Sequence, residues 1–217
     1  MFVPMVDILP ERQESENFVL EHFEISPDEA HRATIRDRIY TTPGKYVRLY
    51  RKTGFKAVVM SDTLHEQRTN REVVANAEGD VLIAGFGIGM ILVPILLKPE
   101  VKTVTVIEIS EEVPKMVLPY LPNKEKLRVI YSDIMDWKPP KGQMWDVIYF
   151  DIWDQISSDN YEQMKTLHRR FGRKKRIWMG SWCEDYCRKA YKTARREAKE
   201  WELYFGNKSV EKLIEGS

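Results

Sequence analysis

The segment Gly85-Phe86-Gly87-Ile88-Gly89 stands directly after the apolar run Val81-Leu82-Ile83-Ala84 and before a second apolar run. A glycine turn between a strand and a helix lets the backbone approach a ligand, because no Cβ intervenes, and it aims N–H groups at that ligand. This is nucleotide-binding chemistry. The spacing narrows it. A dinucleotide fingerprint, G-x-G-x-x-G, needs a third small residue at position 90, where the chain carries Met90. Three acids follow in order. Glu108, with Ile109 beside it, closes the run TVTVIEI, where a carboxylate can accept hydrogen bonds from both hydroxyls of a ribose. Asp133 follows VIYS, and its carboxylate with the N–H of Ile134 suits the edge of an adenine. Asp151 ends DVIYFD, at the crevice outside the carboxyl ends of strands where ligands sit in open α/β sheets. Each acid alone reads as a solvated strand end. Their order behind the glycines argues for an adenosyl cofactor.

The elements that must hold these groups are legible in the hydropathy pattern. Strands are expected at 81–84, 103–109, 127–131, 146–150 and 176–180, most of them near-continuous apolar runs, as parallel strands covered on both faces require. Helices fit between them at about 88–97, 111–119, 159–170 and 184–200, and WELYF after Glu200 is expected to add a last strand. The fold class is therefore α/β, a Rossmann-like, doubly wound and mostly parallel sheet over residues 76–217. Residues 1–75 read as an extension. Ser26-Pro27-Asp28-Glu29 is a helix start with a capping box, running to about Ile39. YVRLYRK, a Thr53-Gly54 turn and FKAVVMSD then read as a β-hairpin, and 66–77 as helical.

G-x-G-x-G followed by these acids resembles the S-adenosylmethionine loop of class I methyltransferases, over about residues 60–182. Those enzymes usually carry an acid two residues before the first glycine, where this chain has Ile83. The same departure, the preceding hairpin and Asp151-Ile152-Trp153-Asp154 look similar to the spermidine synthase (aminopropyltransferase) branch. That resemblance implies an amine held and deprotonated by Asp151 and Asp154, with decarboxylated S-adenosylmethionine as donor. The branch's glycine loop reads G-G-G-D-G, and its acid falls on Ile88 here. The run MSDT, GFGIGM, DIW and GSW also looks like short bacterial and phage proteins of methyltransferase or spermidine synthase-like type. The expectation is an S-adenosylmethionine-dependent methyltransferase of a small molecule. An aminopropyltransferase and a non-catalytic cofactor-binding scaffold are the alternatives. A homodimer through the N-terminal segment is what the related branch implies.

Asp151 is the candidate base for an amine or hydroxyl, and it serves equally to bind the cofactor's ammonium. Trp153 and Trp182 leave strand ends on the cofactor side, as pocket walls or as packed plugs. Gln67, after the hairpin, is expected to close the adenosine side. No Asn-Pro-Pro-Tyr-type segment follows the fourth strand, which argues against amino-methylation of DNA bases.

Composition sets the outer bounds. The 217 residues are 43% hydrophobic and 11% aromatic, enough for a sizeable core. Lys and Arg number 34 against 33 acids, so the net charge of +1 excludes wholesale polyanion binding. The basic run from His168 to Arg176 precedes the fifth strand, so it is expected as a solvated loop at the sheet edge away from the cofactor, with no nucleic acid at the active site. Two cysteines, Cys183 and Cys187, exclude a disulfide framework and a four-cysteine zinc site, and no metal is expected. The uncharged run 81–97 is interrupted by glycines and Pro94 and reads as strand, turn and helix, with no membrane span. No secretion signal is legible, and a cytoplasmic location is expected.

Overall fold

The computed structural model describes residues 1–36, 40–52 and 58–206. The Thr53-Gly54 turn and the far end of the helix expected to reach Ile39 lie outside the described residues.

Five parallel strands form the central sheet: β5 (Gly79–Ala84), β6 (Val101–Glu108), β7 (Leu127–Tyr131), β8 (Trp145–Phe150) and β9 (Lys175–Ser181). Their order is β7-β6-β5-β8-β9, so the chain winds outward from β5 in one direction and then crosses to β8 and continues in the other. The crevice between the two windings opens at the C-terminal ends of β5 and β8. Both faces are covered. Leu82, Ala84, Ile148 and Phe150 pack with Leu167 and Phe171 of α6 (Ser158–Phe171). Val81, Ile83, Val147 and Tyr149 pack on the opposite face with Val73 and Val74 of α3 (Arg71–Asn76) and Leu92 and Ile95 of α4 (Leu92–Leu96). Alternation along each strand thus fills two cores, which is why these strands read as unbroken apolar runs.

The N-terminal region is larger than a helix and a hairpin. β1 (Arg12–Glu14), β2 (Phe18–Ile25), β3 (Gly44–Arg51) and β4 (Val58–Ser61) form a four-stranded antiparallel sheet in that order. The acids within β1 and β2 hid these strands. Val19 and Leu20 are buried, while Glu21 faces Arg12 and Arg48 across the sheet. α1 (Pro27–Arg36) begins with the expected capping box, Ser26 N–H donating to Glu29 Oε2 at 2.8 Å. Asp62, buried after β4, accepts from the N–H groups of Met5 at 2.9 Å and Val47 at 2.6 Å and so ties the amino terminus to β3. Met5, Leu20, Val47 and Leu49 belong to the same apolar cluster as Val81 and Ile83. The sheet is also pinned polarly, since Asn17 N–H and Nδ2 donate to the Glu112 carboxylate at the start of α5 (Glu112–Val117), at 2.9 and 2.7 Å.

Two further differences have local causes. The stretch 66–77 splits at Asn70 into α2 (Leu64–Thr69) and α3. WELYF does not form a strand: α7 spans Glu184–Gly206, because the Ala-, Lys-, Arg- and Glu-rich run before it propagates helix through Trp201. No helix among the described residues is long and apolar enough to cross a membrane.

Candidate functional site

A cleft of about 520 Å³ opens at the C-terminal ends of the parallel strands, lined from both sheets. Its floor is the glycine loop. Gly85, at φ +97°, closes β5 with its N–H donating to Ile107 at 2.9 Å. A Cβ on Gly85 would lie 1.9 Å from the Asp151 carbonyl oxygen, so only glycine permits the ends of β5 and β8 to meet. Gly87, at φ +53°, is held from the other sheet: a Cβ there would lie 2.1 Å from Met60 Sδ. The helix after the loop is shorter than its apolar run suggests, because residues 87–91 are turns and α4 begins only at Leu92.

Glu108 sits at the end of β6 and faces the cleft. Its Oε2 accepts from Phe86 N–H and its Oε1 from Ser110 N–H, both at 2.7 Å. One loop N–H is thereby committed to the protein's own acid, and the carboxylate is locked in place with lone pairs left to accept from a vicinal diol. Ile109, 73% exposed, presents an apolar side chain to the same cleft. Asp133 Oδ1 accepts from Met135 N–H at 2.7 Å, while the Ile134 side chain is buried beneath. Phe86, its side chain buried, also lines the cleft, whereas Gly89 does not: at φ +80° it packs toward Val117 and Leu121. This set fits an adenosyl group: a turn in which Gly85 and Gly87 have no room for a Cβ, a carboxylate fixed by two backbone N–H groups, and the apolar Ile109 beside two acids on the cleft.

The remainder of the cleft differs in character. Asp151, Asp154, Trp153 and Trp182 all line it, with Phe18, Leu49, Val59 and Met60 of the N-terminal sheet opposite in sequence and Arg51 as its one lining cation among the described residues. Trp153 Nε1–H donates to Gln163 at 2.6 Å, and Trp182 Nε1–H to Thr69 at 3.1 Å, so both indoles are oriented by their polar edges. Burial pushes the Asp151 carboxyl up to about 8, with the nearby Glu66 carboxyl adding to the rise. Glu66 also lines the cleft, and burial raises it to about 7 against the opposing pull of the Trp182 N–H. Cys183, beside them, is raised to about 12 by burial and then by Glu66, which leaves a packed, unreactive thiol. Cys183, at φ +50°, precedes α7, and Cys187 lies within it.

Gln67 does not reach the cleft. Its Nε2 turns back to donate to the Asp62 carbonyl at 2.9 Å. Successive helical residues point about 100° apart, and it is the preceding Glu66 that faces inward. No motif marked Glu66; its place depends on how α2 packs against Trp182. The basic run also divides. Arg176 binds Asp146 at 3.2 Å near the start of β8, at the edge away from the cleft. Arg170 is structural, its guanidinium donating to the carbonyls of Ile134 and Met135, so a cation read as solvated braces the loop that carries Asp133.

No protein-family model matches the chain, and no curated protein does. Among solved structures, the N-methyltransferase NodS from Bradyrhizobium japonicum in complex with S-adenosylhomocysteine aligns with 52% of this chain at 15% identity and a TM-score of 0.39. The plantazolicin methyltransferase BpumL, also with S-adenosylhomocysteine, aligns with 54% at 19% identity and 0.39. The 23S rRNA methyltransferase ErmE aligns with 54% at 17% identity and 0.41. The chain spans about half the length of these structures, 57%, 48% and 47% of them.

Proposed function

We propose that the protein is an S-adenosylmethionine-dependent methyltransferase acting on a small molecule. The observation that carries this reading is the convergence of the glycine loop, Glu108 and Asp133 with Asp151 on one cleft at the switch point of the sheet. Glu108 would hold the ribose, Ile109 and Ile134 would flank the base, Asp133 would read its edge, and the backbone at Gly85 and Gly87 would meet the amino-acid moiety. When bound, the cofactor would supply an electrophilic methyl on a sulfonium for transfer to the acceptor. Little covalent work is left to the protein. Its residues align the acceptor, exclude water and take up a proton where the nucleophile carries one. The N-terminal sheet supports a small acceptor, because Phe18, Leu49 and Met60 wall a cleft that an open macromolecular groove would leave uncovered.

Calorimetric titration with S-adenosylmethionine, S-adenosylhomocysteine and decarboxylated S-adenosylmethionine tests this. Binding of the first two at micromolar affinity, with the decarboxylated compound weaker, is expected. Preference for the decarboxylated compound moves the reading to aminopropyl transfer, and no binding of any of the three removes it.

A further inference from the structure

The wall that the N-terminal sheet lends to the cleft carries a cation that a cofactor on the glycine loop leaves unused. Along β3, Val47 and Leu49 are buried, and the period of two puts Arg51 on that same inward face. Its cross-strand partner on β2 is Phe18, and both line the cleft. The backbone beside this rung is pinned. Asn17 donates to the Glu112 carboxylate at 2.9 and 2.7 Å, and its carbonyl accepts from Lys52 N–H at 2.8 Å. Three neighbouring cations of the sheet have acids of their own: Arg12 binds Glu14 and Glu21, Arg48 binds Glu21, and Lys52 binds Glu14. Among the described residues no ion pair or hydrogen bond reaches the Arg51 guanidinium, and the residue is exposed at the mouth of the cleft.

We propose that Arg51 selects the acceptor: it seats a carboxylate of the small molecule at the mouth of the cleft and so decides which end of that molecule reaches the floor. This deepens the proposed function and rests on it. The lining acids Glu66, Glu108, Asp133, Asp151 and Asp154 belong to α2 and to the loops and ends of the parallel strands, whereas Arg51, the lining cation among the described residues, hangs from the sheet above them. Like charge turns an anionic group away from the acids, and the guanidinium is the one place on this lining that attracts it. Its planar fork meets a carboxylate with two parallel hydrogen bonds, which fixes direction as well as position. Phe18, Leu49, Val59 and Met60 surround the cation with apolar side chains, and a charge pair gains strength where water is partly excluded. Trp153 and Trp182 wall the far side, so the body between the two ends of the acceptor is apolar. The cofactor's amino-acid end does not compete for Arg51, because it is proposed on the floor at Gly85 and Gly87. An arginine on an inward strand face gives up the burial that a leucine there would bring. A ligand anion supplies the partner that the sheet withholds.

The test compares 3-phenylpropanoate with its neutral isostere 3-phenylpropanamide, titrated calorimetrically at low salt into the full chain loaded with S-adenosylhomocysteine. The expected result is a carboxylate preference of about tenfold or more in the wild type, shrinking as salt is raised. Arg51→Gln should bring the two ligands within about threefold of each other. Arg51→Lys, which keeps the charge and loses the fork, should fall between. Both variants should keep their affinity for S-adenosylhomocysteine within about twofold. A carboxylate that binds no better than the amide in the loaded wild type overturns the inference alone. So does a preference undiminished in Arg51→Gln. A larger loss of S-adenosylhomocysteine affinity in Arg51→Gln gives the guanidinium to the cofactor and overturns it too. Failure of the wild type to bind S-adenosylhomocysteine removes the proposed function, and the inference with it. The wild-type comparison needs no variant, so it stands even if Arg51→Gln fails to fold.

Discussion

The two halves of the cleft hold the same kind of side chain under opposite conditions. On the half proposed for adenosine, Glu108 accepts two backbone N–H bonds at 2.7 Å and Asp133 one. Donors of that kind fix the acceptor in one orientation. On the half proposed for the acceptor, Asp151 and Glu66 both line the cleft and burial raises them to about 8 and about 7. A carboxyl that backbone donors satisfy is suited to hold a ligand still. One that burial leaves unsatisfied is suited to exchange a proton. Four of the five acids that line the cleft thus divide by their surroundings into two that backbone donors hold and two that burial raises.

Breaking the floor common to both halves should have the largest effect. Gly85→Ala places a Cβ against the Asp151 backbone, which cannot swing away as a flexible side chain does. It should abolish S-adenosylhomocysteine binding in calorimetry and lower stability by about 3 kcal/mol in urea denaturation. Glu108→Ala attacks the adenosine half alone. It orphans the N–H groups of Phe86 and Ser110, so a stability loss of about 1–3 kcal/mol and an affinity loss of about a hundredfold are expected.

The acceptor half should show itself through pH. The native carboxyls of Asp151 and Glu66 lie above the ordinary unfolded values, so between about pH 4 and 8 the folded state binds more protons than the unfolded one. Their contribution to stability is then present at low pH and is lost as pH rises through 7 to 8. Urea midpoints of the wild type should fall between pH 5.5 and 8.5 by the equivalent of about 1–2 kcal/mol, and Asp151→Asn should flatten that slope. A slope unchanged in Asp151→Asn would erase the contrast between the halves. The smallest effect is expected from Trp182→Phe. It removes the bond to Thr69 and the donor opposing the rise of Glu66, costing about 1 kcal/mol and moving the Glu66 titration, followed by NMR, to higher pH.

Legibility in the sequence followed the range of the interaction. The five parallel strands, the glycine loop and its acids stand out because each is a local pattern: a run of apolar residues, a spacing that needs a missing Cβ, an acid one step past a strand. The N-terminal sheet was half legible. YVRLYRK shows period-two alternation, but in Phe18–Ile25 the acids Glu21 and Glu24 disguise a strand whose charges are met by Arg12 and Arg48 from other segments. The last helix was misread at its end because WELYF has strand-like residues, while the helix already running into it costs little to extend.

The sequence alone determined the glycine-loop half of the cleft, since a strand, a glycine turn and a strand-end carboxylate build that half from neighbouring residues. Only the tertiary structure decided what lines the other half. Gln67 and Glu66 are adjacent in the chain, and the packing of α2 against Trp182 turned one toward Asp62 and the other toward Asp151. Arg170 left the basic run to brace the Asp133 loop in the same way. Local patterns record backbone geometry, but the burial that raises a carboxyl comes from distant segments, and no spacing in the sequence encodes it.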